Sequence, residues 1–382
     1  MKARSRTSHL GALALTALLT ACGSEAEQVP GPAAPPPSTA APTATATAAA
    51  TATVAATTPL PVVRRPLAEL QREAMKGMLA AFAAHDPKKI AALYTDDVVS
   101  GSPGPLGWME DRGKGAVESG HVKLFAGFPD MKWMSPRVFV KDDVVIQEWV
   151  SNATHTGDMG EMKATGKPTG IHGVSVYWFN EDGLIKKDST YYDGATIAMQ
   201  TGSMPGKPRA LPALPAGEPT WTTSSGTPEE QKRIDSAKSM YAAFAGKDEK
   251  AFLAHLDKDA IHIAYAQPDD KKGQKVAGEG HKAMHKAFPD MKNTVTNIWA
   301  FGDKVVAEIT MTGTHQGALG PLKATKKPVT LHSLDILTFG KDDKVLSLES
   351  YGSSLELLGQ LGALDAPTKL DASKKPSAAP KK

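Results

Sequence analysis

The residues of this chain that can move protons are a few carboxylates and imidazoles set in alternating apolar stretches. Asp193 follows Tyr191-Tyr192 at the end of a strand-like run. An Asp buried in apolar surroundings has its pKa raised toward neutrality, which suits a general base working near pH 7. Asp193 can also cap a helix over Gly194–Thr201, and the two roles can coexist. His155 and His315 each end a strand within Thr-His-x-Gly, where the ring can donate to a substrate oxygen or bind backbone in the adjoining loop. His172 alternates with Val174 and Val176, and His332 with Leu334 and Ile336. The opposite face carries Ser175, Tyr177 and Phe179, or Asp335, Leu337 and Phe339. Which face meets a pocket depends on hairpin register, because a slip of one residue turns every side chain over. His281 and His285 stand four apart on a helical pattern. Phe125 replaces the second of them in the other half and no carboxylate completes a set, so a solvated helix face is expected there and no metal site. Trp108, Trp133, Trp178 and Tyr191 can line an apolar site or simply fill a core.

The elements that must hold these residues come in two sets. FPDMK occurs at Phe128–Lys132 and again at Phe288–Lys292, a shift of 160 positions. At that shift Gly120-His121 meets Gly280-His281, Lys163-Ala164-Thr165 meets Lys323-Ala324-Thr325, and Gln200-x-Gly202 meets Gln360-x-Gly362. Matches kept at one shift over such a length mean duplication. Thr227-Pro228-Glu229-Glu230 combines a capping residue, a first-turn Pro and a Glu that can reach back, so a helix starts there and runs toward Gly246. Asp86-Pro87 and Asp248 open second, short helices. A short strand follows (Asp97–Ser100; Asp259–Ala264), then a helix (Ala116–Phe125; Val276–Ala287) stopped by Phe-Pro-Asp. Four strands come next in the first copy: Met131–Val140, Val144–His155, Thr169–Phe179 and Leu184–Tyr192, with Asp182-Gly183 as the last turn. Helices followed by a meander imply an α+β fold in which helices pack on one face of a bent antiparallel sheet and can leave a pocket beneath.

The ends constrain where the protein works. Lys2, Arg4 and Arg6 precede the short apolar run Leu10–Thr20, which reads as an export signal and is too short to span a bilayer comfortably. The run ends in Leu19-Thr20-Ala21-Cys22, which resembles the bacterial lipobox, so Cys22 is the expected lipidation site; Gly23 after it favours an outer membrane where the host has one. Cys22 is the only cysteine, so no intramolecular disulfide can form. The net charge is +3 with the basic residues dispersed, which gives no footprint for nucleic acid. The expected order is a signal peptide over 1–22, a Pro/Ala/Thr-rich disordered tether over 23–65, domain one over 66–202, a Pro/Gly-rich linker over 203–226, domain two over 227–364 and a disordered tail over 365–382.

The strings Thr154-His155-Thr156-Gly157, Ala164-Thr165-Gly166-Lys167-Pro168, Phe179–Ile185, Tyr192-Asp193 and Gln200-Thr201-Gly202 together resemble the SnoaL-like polyketide cyclase family of the nuclear transport factor 2-like superfamily. Copy two carries Gly313-Thr314-His315-Gln316-Gly317, Ala324–Pro328 and Gln360-Leu361-Gly362. The resemblance implies two tandem cone-shaped α+β barrels and ring closure by an intramolecular aldol step without metal or organic cofactor. It implies Asp193 as the acid/base, with Ser353 standing there in copy two. It also relates Asp335, four residues before Phe339, to the oxyanion donor of ketosteroid isomerases in the same superfamily. Two functions remain open. One is a binding module that holds a small apolar molecule, with Ser175, Tyr177, Tyr191, His315, His332 and Asp335 as contacts. The other is a cyclase or isomerase of a carbonyl compound, with Asp193 as base and His155 or His172 assisting. In either case the copies can pack against each other as a pseudo-dimer within one chain.

Overall fold

The computed structural model describes residues 65–159 and 162–364. The expected signal peptide, Cys22, nearly all of the tether and the tail over 365–382 lie outside the described residues. In copy one the order is α1 (Leu67–Ala83), α2 (Pro87–Ala91), β1 (Tyr94–Gly104), β2 (Gly107–Arg112), α3 (Lys114–Gly127), β3 (Lys132–Met134), β4 (Arg137–Lys141), β5 (Val144–Thr154), β6 (Pro168–Phe179), β7 (Ile185–Tyr192) and α4 (Gly194–Thr201). A connecting strand, β8 (Thr220–Thr223), leads to copy two: α5 (Pro228–Ala245), α6 (Glu249–Ala254), β9 (Leu256–Ala264), β10 (Lys271–Lys272), α7 (Gln274–Ala287), β11 (Lys292–Phe301), β12 (Lys304–Thr314), β13 (Pro328–Phe339), β14 (Val345–Gly352) and α8 (Ser354–Gln360). The sheets run β2-β1-β7-β6-β5-β4-β8 and β10-β9-β14-β13-β12-β11. Both are open, so each copy is α+β with an unclosed sheet.

The helices start where their caps dictate. Asp86 and Asp248 accept from Lys89 N and Ala251 N, and Thr227 with Glu230 forms a reciprocal capping box on α5. Two strands depart from expectation. The run 131–140 breaks into β3 and β4 at Ser135-Pro136, where Pro136 has no N–H to pair and Ser135 Oγ donates to Glu148 O at 2.8 Å. The Gly/Pro-rich stretch after Ser100 is not loop: β1 continues to Gly104 and folds back through β2 as a hairpin. The linker also does more than span. Its β8 pairs parallel with β4, and Trp221 lies under the Arg72 guanidinium.

The motifs shared by the copies turn out to be joints. Asp130 Oδ1 and Asp290 Oδ1 accept from Thr154 N and Thr314 N at 2.7 and 2.8 Å, which ties each helix end to the following sheet. Gly157 and Gly317 press on that same helix end: a Cβ at Gly157 would stand 1.8 Å from Ala126 O, and one at Gly317 2.0 Å from Lys286 O. The Gln200 side chain bonds both N and O of Gly170, and Gln360 does the same at Thr330. Gly157→Ala must therefore displace backbone. It is expected to lower the calorimetric melting temperature, with overpacking of this kind costing about 1–3 kcal/mol.

The outer faces of the two sheets pack on each other. Val174, Val176 and Ile146 of copy one meet Leu334, Ile336 and Val306 of copy two in one buried cluster. The polar contacts across this seam are reciprocal at the 160-residue shift: Tyr191 Oη donates to Glu308 Oε1 at 2.8 Å and Tyr351 Oη to Glu148 Oε1 at 2.6 Å. The neutralising partners differ. Arg137 Nη2 donates to both Glu148 and Glu349, whereas its counterpart Asn297 donates to Glu308.

Candidate active site

The register observed for β6 and β7 settles which face is inward. Ser175 pairs opposite Thr190, Tyr177 opposite Asp188 and Gly173 opposite Tyr192. Ser175, Tyr177, Asp188, Thr190 and Tyr192 all face a chamber of about 510 Å³ between the sheet, α1 and α3, a size within the usual range for small-molecule sites of roughly 300–1,000 Å³. Trp133 and Trp149 form an aromatic wall, with Trp133 stacked on Phe82 at 4.3 Å between ring centres. Trp149 can lie across the sheet because residue 173 has no side chain: a Cβ there would fall 2.1 Å from the indole. So placed, its Nε1 donates to Ser175 Oγ at 3.1 Å, and Ser175 in turn bonds Thr190 Oγ1 at 2.8 Å. His121 on α3 also lines the chamber, its Nδ1 donating to Val117 O at 2.8 Å, which leaves the lone pair on Nε2; burial lowers its pKa.

Two carboxylates line this chamber, Asp111 and Asp188, and Asp188 is the buried one. It is 6% exposed. Burial pushes its pKa up to about 7, tempered by the Ser100 and Tyr94 hydroxyls and reinforced by Asp111. Tyr94 Oη donates to Oδ2 at 3.4 Å, while Oδ1 finds no donor at hydrogen-bonding geometry. A carboxyl in the chamber lining that changes protonation near pH 7, with one oxygen lacking a hydrogen-bond partner, can take a proton from a ligand and return it. The phenols of Tyr177 and Tyr192 in the same lining are held protonated by burial. Asp188 was not among the residues picked out from sequence. The available signal was its place in the alternation Asp188-Thr190-Tyr192, opposite Lys187 and Tyr191, and that could not be used without the register.

The structure separates the other candidates. Asp193 lies outside the chamber lining, and its oxygens are engaged: Oδ2 accepts from Thr196 N and Oγ1, and Oδ1 accepts from Ser354 N of copy two at 2.8 Å. The expectation of Asp193 as acid/base thus gives way to its capping role, although burial raises its pKa to about 6. Asp193→Ala is expected to cost about 1–2 kcal/mol through loss of the cap, read by urea denaturation. His155 and His315 are fully buried and outside the chamber lining, with Nδ1 against the side-chain hydroxyls of Thr165 and Thr325 in the adjoining loop, and His315 Nδ1 also accepts from Thr325 N at 3.2 Å. His172 points into the seam and stacks on Tyr265 at 4.3 Å; burial and Arg209 lower its pKa to about 4, so it stays neutral. Neither imidazole assists at the chamber. Tyr191 and His332 are likewise seam residues, the latter bound to Glu356 at 2.7 Å and packed on Trp108. Asp335 is buried inside copy two, where it accepts from Tyr241 Oη at 3.0 Å, and burial raises its pKa to about 6. His281 and His285 both turn Nε2 toward Phe244 O. No group of three or more potential metal-ligating side chains occurs among the described residues.

Several solved structures resemble one copy. AclR from Streptomyces galilaeus, a candidate hydroxylase, is 28% identical over 36% of this chain and 87% of its own, with a TM-score of 0.33. IdmH from Streptomyces antibioticus, a candidate polyketide cyclase, is 20% identical over 34% and 99%, with a TM-score of 0.31. A protein of ketosteroid isomerase-like fold from Catenulispora acidiphila, solved with trimethylamine, is 19% identical over 34% and 92%, with a TM-score of 0.30. No curated protein matches. The sequence profile of SnoaL-like polyketide cyclases matches residues 72–201 and 235–361. With both copies matched, over more than half of the 382 residues, the chain belongs to the SnoaL-like polyketide cyclase family.

Proposed function

We propose that copy one binds a small apolar carbonyl compound and that Asp188 transfers a proton at the carbon next to the carbonyl. The observation that carries this reading is the buried Asp188 carboxyl in the chamber lining, with a pKa of about 7 and an Oδ1 that no donor satisfies. Asp188 as carboxylate removes the C–H proton, and the C–H electron pair becomes the enolate. Its oxygen meets a phenol of Tyr177 or Tyr192, which donates a hydrogen bond. Returning the proton to another carbon gives isomerisation; attack of the enolate carbon on a second carbonyl of the same molecule gives ring closure. Every atom stays within the ligand, so the step needs no co-reactant. The test is incubation with an apolar ketone in deuterated water and mass spectrometry of the recovered ketone. Deuterium next to the carbonyl supports the reading. Bound ketone that gains no deuterium leaves copy one as a carrier.

The site of action we propose is the cell envelope, on the strength of Leu19-Thr20-Ala21-Cys22 after the apolar run. Cells fed a labelled fatty acid are expected to label the full chain and to leave a Cys22→Ser variant unlabelled.

A further inference from the structure

The chamber of copy one is not finished by copy one. Ser353, Leu355 and Leu364 of copy two belong to its lining, together with Ile197 of α4. The helix that carries Leu355, α8, is held over copy one at both ends. Ser354 N donates to Asp193 Oδ1 at 2.8 Å, and Gly359 sits so close to the hairpin that a Cβ there would stand 1.7 Å from Pro105 O.

The contact runs one way. Leu355 rests against Gly194, where a Cβ would meet Leu355 Cδ1 at 2.9 Å. At the 160-residue shift Gly194 corresponds to Ser354 and Ala195 to Leu355. Copy one thus has a missing side chain where copy two reaches in, and a small buried Ala195 where copy two carries the reaching Leu. Repeats free of this contact have no reason to differ in this complementary pattern.

We propose that copy two sets the ligand length accepted by copy one, with Leu355 as the gauge, and that the ligand is a carbonyl compound with an extended apolar tail. The carbonyl lies among Asp188, Tyr177 and Tyr192, and the tail runs toward Ile197, Leu355 and Leu364. This rests on the chamber reading given under the proposed function. It adds a reason for the two copies to share one chain, since the site of one is incomplete without the other.

The experiment is calorimetric titration of the full chain with 2-hexanone, 2-decanone and 2-tetradecanone. In the wild type each methylene that finds apolar lining tightens binding about fourfold, up to the length at which the tail meets Leu355. Leu355→Trp is expected to weaken 2-tetradecanone by about tenfold or more while changing 2-hexanone by less than about twofold. Leu355→Ala shifts the preferred length the other way. Gly194→Ala, whose new methyl pushes Leu355 from the copy-one side, reproduces the direction of the Trp variant with little change in bulk. Wild-type binding that all three variants leave unaltered, or that they change equally at every length, overturns the gauge and leaves the chamber reading standing. A wild-type chain that binds none of the ketones overturns the chamber reading and the gauge with it.

Discussion

Replacing Asp188 with Asn is expected to cut ketone deuteration by about 10²- to 10⁴-fold, the usual contribution of a positioned general base, while ketone binding persists. The same variant should be more stable than the wild type at neutral pH. The Asp188 pKa is raised to about 7 in the folded chain by burial, against about 3.9 for an unperturbed Asp. Folding therefore favours the protonated form, and stability is greatest at acid pH for this group. It falls as pH rises from about 4 through about 7, because the unfolded chain has then released a proton that the folded chain still holds. The accumulated loss is about 4 kcal/mol by linkage. Asn carries no charge and escapes it, so the variant's stability should decline less across that window than the wild type's, the remaining slope coming from other raised carboxyls such as Asp193 and Asp335. Denaturation at pH 5 and pH 8 reads the effect directly. A rate that falls without this gain in stability would mean that Asp188 transfers the proton from ordinary solvated surroundings, without a pKa raised by burial.

The second large effect lies in the seam. Arg137 is the cation shared by Glu148 and Glu349, which are 2% and 7% exposed. Arg137→Met leaves two carboxylates facing each other, with only tyrosine hydroxyls as donors: Tyr351 to Glu148 and Tyr265 to Glu349. Stranding a buried charge costs about 3–5 kcal/mol. Burial already raises the Glu148 pKa against the pull of Arg137, so without the Arg Glu148 takes up a proton more readily, and the deficit should shrink when pH is lowered from 8 to 5. Asn297→Ala removes the counterpart, a neutral donor, and is expected to cost only about 1–3 kcal/mol. Guanidinium denaturation of the two variants gives the comparison. Equal losses would mean that the charge of Arg137 is not what the seam requires.

The duplicated fold was readable because it is written twice. FPDMK, Thr-His-x-Gly and Gln-x-Gly keep their spacing since each makes a joint that both copies need: Asp130 to Thr154 N, Gly157 against Ala126, Gln200 on Gly170. The same logic hid the candidate site. Identity between copies marks what each fold needs, whereas the chamber groups sit where the copies differ. Asp188 faces Leu348 across the alignment, Tyr177 faces Leu337, Trp149 faces Ile309 and Trp133 faces Asn293. A search guided by shared residues therefore leads to His155, which braces a loop, and the family resemblance leads to Asp193, which caps a helix. Register was the second obstacle. Ser175 and Tyr177 against His172 and Val174 is a choice between two faces that alternation alone leaves open, and it is settled by the pairing of β6 with β5 and β7. The hairpin of β1 and β2 escaped notice because Gly101, Pro103 and Pro105 read as loop, although a two-stranded edge tolerates them.

The most direct measurement is a carbon-13 NMR titration of the side-chain carboxyls, with the Asp188 resonance assigned by its loss in Asp188→Asn. A midpoint near pH 7 is the result expected of a proton-transferring carboxyl in an apolar chamber. A midpoint near pH 4 would place Asp188 in ordinary solvated surroundings and contradict its role.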